Sequence, residues 1–358
     1  MPKGLYIHVP FCRRKCPYCD FYSVTELELA EKYTEAVIRN LRRSEISVDT
    51  VYFGGGTPSL LKPNRIYDIL SFAGIEENAE ITMECNPDSV NPDYLADALS
   101  AGINRVSFGV QSLDDSELAA LGRIHDAGAA IHAIENAYEA GFRNISADLM
   151  LGTAYQTEKS LSETIEKLTA LPINHISAYM LKIESDTPYG KGGSDSLPLP
   201  DEDETADMYL FTVQRLKEKG FEQYEISNFS QPDCESRHNL KYWRCEEYFG
   251  IGPSAHSYID GVRKACPKSV RDFISSELQQ EYITEEHGGD SDERIMLALR
   301  LTKEGIDLSS FDEMRRSEII RLSKPLIAAE YMLQNGNRLT LTPKGCLVSN
   351  EIICRIIG

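Results

Sequence analysis

A chain of 358 residues is long enough for a large α/β core with an appendage. Fifty-six acidic against thirty-seven basic residues leave a formal charge of -19, the wrong sign for non-specific nucleic-acid binding. The composition, 42% hydrophobic and 9% aromatic, is that of a globular protein; with no long apolar run and no secretory signal at its start, the chain is expected to be cytoplasmic without an integral membrane segment.

In chain order, a short β-type run over 5–9 is followed at once by three cysteines, Cys12, Cys16 and Cys19, spaced C-x3-C-x2-C. Helical periodicity over 28–42 leads to a second run over 50–53 that ends in Gly54-Gly55-Gly56-Thr57-Pro58. The alternation continues with strands predicted over 80–85, 104–109, 144–151, 175–181 and 223–227, and helices over 92–101, 127–140 and 160–171. Crossovers of this length make neighbouring strands parallel, and six or seven such units predict a full or partial β/α barrel rather than an open doubly wound sheet. The stretch 186–203, rich in Gly, Pro, Ser and Asp, reads as a long loop, with helix resuming near 204. An acidic, Gly-containing break over 285–293 marks a boundary. Beyond it, a helix over 294–301 and a hairpin signature at 335–337 predict a small winged-helix-like α+β domain. The expected division is a barrel core over 1–230, a barrel-completing segment over 231–288 and a C-terminal domain over 289–358.

Nine cysteines in a chain expected to be intracellular argue against a disulfide framework and favour metal binding by the clustered three. Cys85, Cys234, Cys245, Cys266, Cys346 and Cys354 are scattered and read as small buried hydrophobes. A structural zinc site would close with a fourth ligand, for which a downstream histidine is available. A four-iron cluster held by three thiolates would instead keep one iron open to a small molecule. The glycine run at the end of the second strand allows close backbone approach to a ligand. Glu84, Gln111 and Asp148 fall at or near the ends of the next three strands, which in a β/α barrel open on one mouth.

The cysteine spacing with GGGTP on the following strand resembles the radical S-adenosylmethionine (SAM) superfamily. That resemblance implies a [4Fe-4S] cluster on Cys12, Cys16 and Cys19, with the amino and carboxylate groups of SAM on the open iron and electron transfer to its sulfonium cleaving a C–S bond. YIHVPFC, YFGGGTPS, ECNP, FGVQS and GRIH narrow the likeness, over nearly the whole chain, to the oxygen-independent coproporphyrinogen III oxidases and the related heme chaperones of the HemW type. By this resemblance Tyr6, Gly55, Gly56, Thr57, Glu84, Gln111, Arg123 and Asp148 match positions used for SAM, a ligand whose charges suit carboxylates, an amide and one Arg.

Within that group the oxidases carry a further cysteine two residues after the third cluster thiol, where this chain has Phe21. RHNLKYW resembles the HNxxYW signature of the chaperone branch, and GRIHDA also matches that branch through His125. The resemblance therefore implies a protein that binds heme and transfers it to an acceptor apo-haemoprotein, with His238, Tyr242 and Trp243 as candidate heme contacts. His256 is a second candidate histidine, and His8 is expected to shape the cluster loop. The alternatives are oxidative decarboxylation of coproporphyrinogen III and radical SAM chemistry on another substrate.

Overall fold

The computed structural model describes residues 3–44, 46–276 and 283–358. Six strands alternate with helices through the first half of the chain. They are β1 (Lys3–Val9), α1 (Ala30–Leu41), β2 (Ser47–Gly55), α2 (Pro63–Leu70), β3 (Gly74–Cys85), α3 (Pro92–Ser100), β4 (Arg105–Gln111), α4 (Asp115–Ala120), α5 (Ala127–Ala140), β5 (Asn144–Leu151), α6 (Glu158–Ala170) and β6 (His175–Met180). Neighbouring strands from β1 to β6 pair in parallel, as the crossover helices require. Helix starts are capped where the sequence offers an acceptor: Asn91 binds the amide of Tyr94, Asp126 that of Ala129 and Thr157 that of Ser160. Gly141 ends α5 in a left-handed conformation, φ 113°.

The two faces of the sheet differ in chemistry. Val51, Phe53, Met83, Val106, Phe108, Val110, Ile145, Ala147 and Leu149 are buried in the apolar core that includes the crossover helices. The alternate positions, Thr50, Tyr52, Thr82, Glu84, Arg105, Ser107, Ser146, Asp148, His175 and Ser177, share the opposite face and line the barrel interior. Barrels of this kind normally fill that space with branched apolar side chains. This interior is polar.

After β6 the chain forms a helical turn at Tyr189–Gly193 and α7 (Glu202–Glu218), whose Asp201 and Glu204 make a reciprocal capping box. The strand expected over 223–227 is two short strands, β7 (Glu222–Gln223) and β8 (Asn228–Ser230), antiparallel to each other, with β8 antiparallel to β6. The reversal is built on Glu225, a fully buried carboxylate that accepts from the Ser227 amide at 2.8 Å and from the Asn228 side chain. Helix α8 (Arg237–Trp243) follows, then β9 (Tyr248–Ile251), which returns to pair in parallel with β1. Antiparallel β10 (His256–Ile259), β11 (Val262–Ala265) and β12 (Ile283–His287) extend this edge, with α9 (Val270–Ser275) between the last two. The described sheet thus has twelve strands, seven of them parallel neighbours. The break expected over 285–293 begins only after His287, because β12 runs to that residue.

The C-terminal part contains α10 (Ser291–Ala298), β13 (Ile306–Asp307), α11 (Glu313–Ala328), β14 (Met332–Asn335), β15 (Arg338–Leu341), α12 (Pro343–Leu347) and α13 (Ser349–Ile357). Its three strands form a separate antiparallel sheet, and the hairpin turns through Gly336 at φ 59°. It packs on α7 and α8 and bonds the β7–β8 turn through Ile226–Arg300 and Thr302–Tyr224 backbone pairs. Among the described residues no helix is long and apolar enough to cross a membrane.

Candidate cofactor site at the barrel mouth

The cysteine loop leaves β1 at Val9 and is stitched back to its start by Val24 N to Pro10 O and Cys12 N to Val24 O, at 2.6 and 2.9 Å. His8 braces it from below. Its Nε2 donates to the carbonyl of Tyr22 at 2.8 Å, which leaves Nδ1 to accept from the Tyr6 hydroxyl at 3.1 Å. Burial lowers the His8 pKa to about 4, so the ring is a neutral strut near neutral pH. The segment read as a long loop docks on top, Tyr189 N bonding Pro17 O at 3.0 Å and the Tyr189 hydroxyl donating to the carbonyl of Ala120.

A continuous hydrogen-bonded chain joins two of the thiols across the mouth. Thr57 Oγ1 lies 3.6 Å from Cys12 Sγ and accepts from Asn86 Nδ2 at 2.9 Å. Asn86 Oδ1 accepts from Arg123 at 2.7 Å, and Arg123 reaches Cys16 Sγ at 3.7 Å while also binding the carbonyl of Gly109 at 2.8 Å. Cys19 lines the adjoining cavity of about 360 Å³, together with Gly55, Gly56, Thr57, Glu84, Gln111, Arg123 and Asp148. Asn86 was not singled out in the sequence, although its place one residue past the end of β3 is the available signal.

The glycine shelf needs its glycines. Gly55 sits at φ 107°, and a Cβ there would meet the His8 ring at 2.6 Å; a Cβ on Gly56 would meet the Phe11 carbonyl at 2.7 Å. Beside the shelf, Glu84 accepts from Tyr52 at 2.9 Å and from the Gly55 amide at 3.2 Å, and Asp148 accepts from Ser107 at 3.2 Å. Burial, reinforced by Asp148, pushes the Glu84 pKa up to about 7 against the opposing pull of Tyr52, the Gly55 amide and Arg105. Asp148 is also raised, burial being its largest cause. Two enclosed carboxylates with elevated affinity for protons are equally a receptor for another cation.

A carboxyl raised on folding stabilises the fold most below its ordinary pKa, and that contribution is lost as pH rises through the folded value. Between about pH 5 and about pH 8 the unliganded protein should therefore lose on the order of 3 kcal/mol through Glu84. Glu84→Gln should flatten that part of the decline, read from denaturant midpoints; an unchanged slope would show that Glu84 is already ionised at the lower pH.

Not every candidate is at the mouth. Tyr6 lies behind the shelf, its ring stacked on Tyr52 at 6.3 Å and within 3.0 Å of where a Gly54 Cβ would stand. Phe21, in the place of the oxidase cysteine, lines the cavity and is 69% exposed. His125 is buried, with Nε2 on the carbonyl of Val110, and His256 is exposed at the start of β10.

The heme candidates lie at the opposite end of the barrel. Helix α8 plugs its floor, with His238 fully buried, Nδ1 2.9 Å from Thr50 Oγ1 and Nε2 2.7 Å from the Tyr242 hydroxyl. The imidazole stacks on Tyr52 at 5.3 Å, and its backbone amide bonds Glu80. Trp243 faces away, packed on Tyr224, Leu240 and Leu301 under the Arg300 guanidinium. In this conformation His238 and Trp243 sit on different sides of α8, and both ring nitrogens of His238 are hydrogen-bonded.

Three thiols on a glycine-shelved barrel mouth with a carboxylate-lined cavity define a radical SAM protein, and residues 6–168 match the Radical SAM superfamily model. The chain is 32% identical to the heme chaperone HemW of Bacillus subtilis (strain 168), over 99% of each chain. It is also 32% identical to the heme chaperone HemW of Mycobacterium tuberculosis (strain H37Rv), over 100% of this chain and 95% of that one. The chain belongs to the HemW family of heme chaperones. It is 38% identical to the mouse protein named radical S-adenosyl methionine domain-containing protein 1, mitochondrial, over 71% of this chain and 60% of that one. Among solved structures, the Escherichia coli coproporphyrinogen III oxidase HemN shares the fold, with a TM-score of 0.83 and 20% identity over 99% of this chain and 90% of its own.

Proposed function

We propose that this protein holds a [4Fe-4S] cluster on Cys12, Cys16 and Cys19, binds SAM in the adjoining cavity, binds heme and passes it to an acceptor apo-haemoprotein. The observation that supports the cofactor part is the bonded path Cys12–Thr57–Asn86–Arg123–Cys16, which joins two thiols to two of the SAM candidates, Thr57 and Arg123, at one mouth. Among the described residues no three His, Cys, Asp or Glu side chains stand close enough to share one metal ion. A cluster does not require that closeness, since each thiolate takes its own iron.

When bound, the cluster supplies an electron and an open iron for the amino-acid end of SAM. The chain's own groups do the rest. Gly55 and Gly56 let a ligand lie against the backbone, Arg123 offers a cation for a carboxylate, and Glu84 and Asp148 offer negative charge to a sulfonium or a ribose. Full-length likeness to heme chaperones supports heme transfer over oxidation of coproporphyrinogen III, and so does Phe21 where the oxidases have a thiol.

Anaerobically reconstituted protein should bind heme, donate it to an apo-haemoprotein and leave coproporphyrinogen III unchanged. Turnover of coproporphyrinogen III to a decarboxylated product would replace this reading with the oxidase one.

A further inference from the structure

Arg105, the first residue of β4, is the largest fully buried side chain among the described residues. Its guanidinium Nε is buried without a hydrogen-bond partner among the described residues. The hydroxyl of Thr82, its cross-strand neighbour on β3, is equally buried and unpartnered. Removing a guanidinium from water without a partner costs several kcal/mol, so a charge kept here has to act on something.

What lies around is the cofactor site. Ser107, two residues on and on the same face, lines the cavity and bonds Asp148. The field of Arg105 reaches Glu84 on β3, Asp148 on β5, Tyr52 on β2, His175 on β6, Tyr224 beyond β7 and His238 on α8. Glu84 also feels Tyr6 of β1, Tyr179 of β6 and Tyr242 of α8, and Asp148 also feels Arg123. All but Arg123 are neutral rings or carboxyls, so from beneath the cavity Arg105 is the cation facing the pair.

We propose that Arg105 is a positioning residue for the SAM site, the internal positive charge that holds Glu84 and Asp148 nearer their ionised forms, so that the cavity offers negative charge to a cationic sulfonium. This rests on the SAM reading above. Its loss drives the two carboxyls toward protonation, as burial and their mutual repulsion already tend to do. The cavity then presents less negative charge at neutral pH and recovers it only in alkali.

The test is a titration of the anaerobically reconstituted full chain with SAM, and separately with the uncharged thioether S-adenosylhomocysteine, across pH. Arg105→Gln should weaken SAM about tenfold near neutrality and move the midpoint of its pH dependence up by about one unit. S-adenosylhomocysteine should weaken much less, and Arg105→Lys should restore the wild-type profile. An equal, pH-independent loss for both ligands would overturn the proposal, as would an unchanged profile or a Lys variant that cannot fold. Wild-type protein with full cluster absorbance and no SAM binding would instead remove the SAM reading on which it stands.

Discussion

Replacing Cys16 with alanine should abolish the visible absorbance of an iron–sulfur cluster after anaerobic reconstitution, while Cys354→Ala, at an exposed cysteine on α13, should keep it in full. Three thiols are all that the loop offers, and the loop has little capacity to substitute another group. Its ends are fixed by the Val24 bonds, its middle lies beneath Tyr189, and its path is set by Pro10 and Pro17. The Arg123 guanidinium, 3.7 Å from Cys16 Sγ, repels iron rather than binding it. Iron and sulfide content measured beside the spectrum distinguishes loss of the cluster from a change in its colour. Full retention in Cys16→Ala would mean that the cluster sits elsewhere.

The barrel was legible because its strands are short apolar runs punctuated by Gly and Pro, and because helical crossovers leave little choice of topology. The strand beyond β1 was expected only as part of a barrel-completing segment over 231–288 and was not located within it. Strand β9 is a short part of the run YFGIG, and its partner β1 lies more than 240 residues earlier. Pairing at that separation leaves no local mark in the sequence. The polar interior had a signal that is clear only once register is known: RVSFGVQ places Arg105, Ser107 and Gly109 on one face and Val106, Phe108 and Val110 on the other. Gly55, Gly56, Glu84, Gln111 and Asp148 were reached by position, since strand ends and glycines can be read directly, whereas Arg123 was reached only by likeness. The HNxxYW stretch was placed by likeness, and likeness carries no information about depth. Only the fold shows that Ser236 caps a short helix whose His238 turns into the barrel floor.

That burial makes heme ligation by His238 conditional on movement, and the condition has a measurable consequence. In the described conformation the imidazole is neutral, its pKa lowered to about 3 chiefly by burial, which is the protonation state a metal ligand needs. What it lacks is access: one ring nitrogen is bonded to Thr50 and the other to Tyr242. If heme takes this histidine, α8 must first leave the floor, and the observed affinity is the intrinsic affinity multiplied by the fraction of open molecules. Tyr242→Phe keeps the ring that packs edge-on against Tyr248 at 4.5 Å but leaves His238 Nε2 without its partner. An unsatisfied buried nitrogen destabilises the closed form by about 1–3 kcal/mol, enough to raise the open fraction roughly tenfold. Heme should therefore bind about tenfold tighter to Tyr242→Phe than to the wild type, although the variant is the less stable fold. His238→Ala should lose the tight site even with α8 loosened in the same way. Heme titration followed in the Soret band checks both, with denaturant midpoints measured alongside. If Tyr242→Phe lowers stability and leaves heme affinity where it was, His238 is a floor residue alone, and the heme ligand has to be sought among the exposed groups, His256 first among them.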